Sequence, residues 1–153
     1  MCVAISFRYN IIGRKNPNEM ERAYNSVAQK IYNQEINNER KIFEYLQSVY
    51  INDEDFKSFF LTKEITTGGK NKKLVKYILT KIENHISNKD NDFNDANFTI
   101  EHILPENFND LWEEVFDGNA TKFVYRLGNY TLLKDHKNRE CADKNFSDKK
   151  KYI

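Results

Sequence analysis

The sequence predicts a mostly helical α+β protein, with a helical segment over residues 1–95 and a strand–strand–helix unit over residues 96–153. Three observations predict this class. Apolar residues recur at helical spacing through the first 87 residues. The polar run Asn88-Lys89-Asp90-Asn91-Asp92 then interrupts that pattern. Beyond it, Phe98 to Leu104 and Phe123 to Leu133 read as short strands around turn residues.

The first ten residues fit a strand or a helix end equally. Asn16-Pro17-Asn18-Glu19 is a helix start: Asn16 can accept from exposed amides, Pro17 suits the first helical position, and Glu19 completes a capping-box-like pair. Met20, Tyr24, Val27 and Ile31 follow as one apolar face. A second helix is expected over residues 38–50, burying Ile42, Tyr45, Leu46 and Val49. Asn52 can cap a third, with Asp53, Glu54 and Asp55 favourably set in its first turn and Phe56, Phe59 and Phe60 on its apolar side. Thr66-Thr67-Gly68-Gly69 marks a turn, and Leu74, Tyr77, Ile78 and Ile82 mark a fourth helix over residues 71–87.

In the last third, Phe98 to Leu104 is a strand stopped by Pro105. Asp110 can cap a short helix in which Trp112 anchors the core, with Gly118 near its end. Phe123 to Leu133 is a second strand region broken at Gly128-Asn129. The tail from Asp135 to Tyr152 is expected as one final helix with Phe146 turned to the core.

Composition narrows the function. With 153 residues, 39% hydrophobic, 31% charged and 14% aromatic, the chain can bury a core without disulfides or structural metal. Cys2 and Cys141 lack metal or disulfide spacing and fit a reducing cytoplasm. No apolar run is long enough for a membrane span, and the N-terminus lacks the pattern of a signal peptide. The net charge of +1 hides an asymmetry: residues 90–120 contain no Lys or Arg, whereas basic residues predominate from Thr121 onward and could meet phosphates. Charge runs are more often solvated faces, so this alone decides nothing.

Glu101-His102, just before Pro105, pairs a carboxylate with an imidazole, which can divide cation holding and proton abstraction between them. On a strand the two face opposite ways, so they share a site only where the strand ends. As a lone dipeptide it reads as a surface Glu beside a half-buried His. Leu127-Gly128-Asn129-Tyr130-Thr131-Leu132-Leu133 and Asn138, nine residues after Asn129, complete a constellation.

With these motifs, Ile100-Glu101-His102-Ile103-Leu104-Pro105 above all, the chain resembles the C-terminal nuclease domain of GmrSD-type modification-dependent restriction endonucleases, in the HNH or His-Me finger superfamily. Trp112, Phe146 and Lys149 match as well. A looser likeness extends upstream through Phe7-Arg8-Tyr9-Asn10, Asn16 to Glu21, and Val75 to Leu79. Glu106 and Tyr130 stand where the family commonly has Gln and Leu, and the Asp-Gly-Gln-Gln-Arg motif of the family's nucleotide-dependent domain is absent. The chain thus resembles the C-terminal piece of such a protein.

The resemblance implies an N-terminal helical bundle packed with a C-terminal ββα-metal, HNH-like finger that cuts DNA, modified DNA included, in phage defence. It implies His102 as general base and Asn129 as the residue orienting its loop. Glu101 and Asn138 would ligate Mg²⁺ or Mn²⁺, for which oxygen ligands are appropriate. Arg126, Lys134, Lys137 and Arg139 flank the site and are the candidates for phosphate contact. His136 and His85 fit exposed or structural positions better. A separate nucleotide-dependent domain or subunit is the implied partner. The alternative is a DNA-binding or protein-interaction module that keeps the fold without turnover.

Overall fold

The computed structural model describes residues 1–153, apart from the side chain of Leu111. Its contacts divide the chain into two units, Met1–Thr62 and Lys63–Ile153. The polar run at 88–92 is a loop inside the second unit, where Asn84 ties it back to the preceding helix. The Asn84 side chain accepts from the Asn91 amide at 2.9 Å and donates to the Asn91 carbonyl at 3.0 Å.

In the first unit the undecided N-terminus is helical: α1 (Cys2–Ser6) runs into a π-helical segment, Phe7–Ile12. α2 (Pro17–Tyr32), α3 (Glu39–Leu46) and α4 (Asp53–Leu61) follow. Each of these three begins at an Asn whose side chain accepts a first-turn amide: Asn16 from Asn18, Asn38 from Lys41, Asn52 from Asp55. Glu19 does not close a capping box; its carboxylate accepts the Tyr9 hydroxyl at 2.6 Å. The core comprises Ile5, Tyr9, Val27, Leu46, Val49 and Ile51, with Met20, Tyr24, Ile42 and Phe56 packed against it. Ile31 and Tyr45, expected inside, are about half exposed. The Tyr45 ring receives the Lys30 ammonium at 5.0 Å. Arg8 packs on Phe56, bonds the Ile51 carbonyl and pairs with Asp53.

The second unit holds α5 (Gly69–Ser87), β1 (Phe98–His102), α6 (Asp110–Val115), β2 (Tyr130–Lys134), α7 (Asp135–Cys141) and α8 (Phe146–Lys149). β1 and β2 pair antiparallel, His102 opposite Tyr130 and Phe98 opposite Lys134. α5 and α7 each lie against both strands. Leu104, Trp112, Ala120 and Val124 form a core under Phe108, Phe116 and Phe123.

Three expectations are corrected here. The second strand is short, because residues 127–129 form a 3-10 turn before it. The tail is two helices, broken at Ala142, which has φ 39° and ψ −126°. Phe146 is 45% exposed, and the buried residue of α8 is Lys149. Among the described residues, no helix is long and apolar enough to cross a membrane.

Candidate active site

The end of β1 carries the two residues with the most chemistry, and strand alternation sends them to opposite faces. Thr99 and Glu101 share one face; Ile100 and His102 share the other. Glu101 is 5% exposed and Lys149 fully buried, with Lys149 Nζ 2.5 Å from Glu101 Oε1. The same Nζ donates to the His102 carbonyl at 2.7 Å. Burial pushes the Glu101 carboxyl above its ordinary value, against the opposing pull of the Lys149 ammonium.

His102 sits edge-on to the Tyr130 ring, centroids 4.7 Å apart, and 6.3 Å from the Tyr125 ring. Its side chain is 15% exposed, so it is enclosed but not sealed. Nε2 lies 3.3 Å from Glu106 Oε1. That approach is close enough for charge attraction but is not aligned as a hydrogen bond, and among the described residues Nε2 has no hydrogen-bond partner. Burial holds the imidazole below its usual range, Glu106 opposing and Lys149 reinforcing the shift. The ring is therefore neutral near pH 7, the form that accepts a proton. Tyr130, whose hydroxyl donates to the Ile65 carbonyl at 2.7 Å, is pushed up by burial and keeps its proton.

Asn129 links the two strands just beyond their last pair. Its Oδ1 accepts the Leu104 amide at 2.7 Å, and its Nδ2 donates to the carbonyls of Leu104 and Val124 at 2.9 Å each. Its own carbonyl accepts the Ile103 amide at 2.9 Å. Three of these bonds hold residues 103 and 104, directly after His102, and the fourth ties in Val124.

Asn138, on α7, donates through Nδ2 to Thr99 Oγ1 at 2.9 Å and to the Ile100 carbonyl at 3.0 Å. Thr99 is two residues from Glu101 on the same face, so α7 brings the Asn138 carboxamide to the side of the hairpin that carries Glu101. One turn further along α7, Cys141 is buried, and its thiol feels the charges of both Glu101 and Lys149. With Nδ2 committed twice, Oδ1 is the atom Asn138 can offer a cation. It and the second oxygen of Glu101 are hard oxygens, the donor type that suits Mg²⁺, an ion that keeps waters and needs few protein ligands. Among the described residues, no three His, Cys, Asp or Glu side chains converge, so a cation here would depend on amide and water oxygens as well.

The basic candidates differ in setting. Lys134, Lys137 and Arg139 are exposed, and Arg139 pairs with Asp135 at 2.9 Å. Lys134 and Lys137 line a cavity of about 540 Å³ with exposed His136, beside α5 and β2. Arg126 lies with Cζ 4.5 Å over the Phe123 ring and Nε enclosed, so any phosphate contact falls to its terminal nitrogens. Two site neighbours had no role in the sequence reading: Glu106 beside His102, and Lys149 beneath Glu101. The signal for Lys149 was available, because a carboxylate on a buried strand face requires a counter-charge.

Residues 50–153 fit the family described as GmrSD restriction endonucleases, C-terminal domain. No curated protein and no solved structure matches the chain.

Proposed function

The chain belongs to the C-terminal-domain family of GmrSD restriction endonucleases, and from that membership we propose that its second unit is a metal-dependent DNA endonuclease with an HNH-like ββα site. The observation that carries the proposal is the arrangement at the end of β1: an enclosed imidazole on one face of the hairpin and, on the other, a carboxylate to whose side α7 brings a carboxamide.

His102 acts as general base, taking a proton from the water that attacks the phosphodiester. Asn129 holds the loop after His102 so that the ring keeps its direction. Glu101 and Asn138 would hold Mg²⁺ or Mn²⁺, which would supply charge neutralisation at the phosphate and the leaving oxygen. Lys134, Lys137 and Arg139, with the terminal nitrogens of Arg126, meet the DNA backbone and set its register without reading sequence. Modified DNA is within the substrate class, and a nucleotide-dependent domain or subunit is the partner that would gate cutting.

Incubation of the full chain with supercoiled plasmid and Mg²⁺ or Mn²⁺ tests the reading, with unmodified and base-modified plasmid in parallel. We expect nicking that EDTA abolishes and that His102→Ala lowers by about 10²–10⁴-fold. Equal nicking by the variant, or nicking that survives EDTA, overturns it. The second reading, a binding module without turnover, draws on the closed Glu101–Lys149 pair. DNA retention that falls steeply with salt and leaves the plasmid intact would favour it.

A further inference from the structure

Nothing in the reaction as read above uses Lys149, yet it is the largest fully buried side chain in the protein. A buried ammonium is costly unless its protons are met. Glu101 Oε1 meets one at 2.5 Å and the His102 carbonyl meets another at 2.7 Å. One cation therefore grips β1 at two successive residues whose side chains leave on opposite faces. It also engages a single oxygen of the Glu101 carboxylate, leaving the other as the one that can face a ligand.

Resting on the metal-site reading above, we infer that Lys149 is a positioning and specificity-determining residue: by holding Glu101 Oε1, it limits Glu101 to one-oxygen ligation and so favours Mg²⁺ or Mn²⁺ over Ca²⁺. The two classes of ion carry the same charge, so charge alone does not separate them. Oxygen count does. Mg²⁺ is small, strictly octahedral and keeps its waters, whereas Ca²⁺ gathers six to eight oxygens and readily takes both from one carboxylate. A carboxylate with one oxygen committed to an ammonium fits the first demand and fails the second. The grip on the His102 carbonyl serves the same end, because it stops the strand terminus from turning to present both oxygens. α8 is set for this by Asn145, whose side chain accepts the Asp148 amide at 3.0 Å.

Crystals of the full chain soaked with Mn²⁺ test the geometry directly. The expected result is an ion on one oxygen of Glu101, with Lys149 still on the other. Both oxygens on the ion, or Lys149 displaced, overturns the inference. Isothermal titration of Mg²⁺ and Ca²⁺ into the wild-type chain and Lys149→Met supplies a second readout. Loss of the ammonium strengthens both ions through charge, so the quantity to follow is their ratio. We expect it to move toward Ca²⁺ by about tenfold, the low end for removing a group that supports a metal ligand. An unchanged ratio in a folded variant overturns the role of Lys149 and leaves the nuclease site standing. A wild-type chain that takes up no ion at Glu101 overturns the site reading itself. Should Lys149→Met fail to fold, the soaked wild-type crystal decides alone.

Discussion

Asn129 shows how much of a site one carboxamide can organise. It satisfies the Leu104 amide and carbonyl and the Val124 carbonyl, in residues that are 1% and 4% exposed. Asn129→Ala strands all three, and we expect a loss of about 3 kcal/mol in urea unfolding, each orphaned group costing on the order of 1 kcal/mol. An unchanged midpoint would refute the bracing role. His102 yields a pH prediction. Its value in the folded chain lies below the ordinary 6.5. Between those two values the unfolded chain binds the proton and the folded chain does not, so stability rises with pH across that window. The stability of the wild type relative to His102→Gln should therefore be constant above pH 6.5 and fall as the solution is acidified below it. Glu101, shifted the other way, is common to both chains. A pH-independent difference would count against the burial argument. At this scale Glu101, His102, Asn129 and Asn138 are singled out by the resemblance rather than by pattern, since Glu101-His102 alone reads as a surface Glu beside a half-buried His. Lys149 was seen only as part of a motif, because its partner lies 48 residues away and no local periodicity reports such a pairing.

Among the elements, those with local causes were readable. Asn16, Asn38 and Asn52 cap α2, α3 and α4 through amides two or three residues away, and short polar side chains before apolar periodicity announce that geometry. The break between α7 and α8 was not readable. It turns at Ala142, in a left-handed conformation that usually calls for glycine, and alanine carries no turn signal. Ala142→Gly should stabilise the protein by about 1 kcal/mol by relieving that strain, measured as a raised melting temperature. A lowered one would mean that the turn is held for another reason. Tyr45 is exposed although its helix is periodic, because periodicity says which face is apolar and not whether anything covers it.

For the whole molecule, the family match takes in the second unit and reaches back to Tyr50, inside the first. The net charge of +1 gives no general pull toward DNA, so on the nuclease reading affinity would rest on local clusters such as Lys134, Lys137 and Arg139. Neutralising these three together should reduce the salt dependence of plasmid binding by nearly one logarithmic unit per lost phosphate contact. A slope identical to wild type would move the DNA path elsewhere. The long reach of Lys149 also bears on how the protein is made. Synthesis delivers β1, β2 and α7 before α8, so a nascent chain holds Glu101 without its ammonium until α8 closes beneath it.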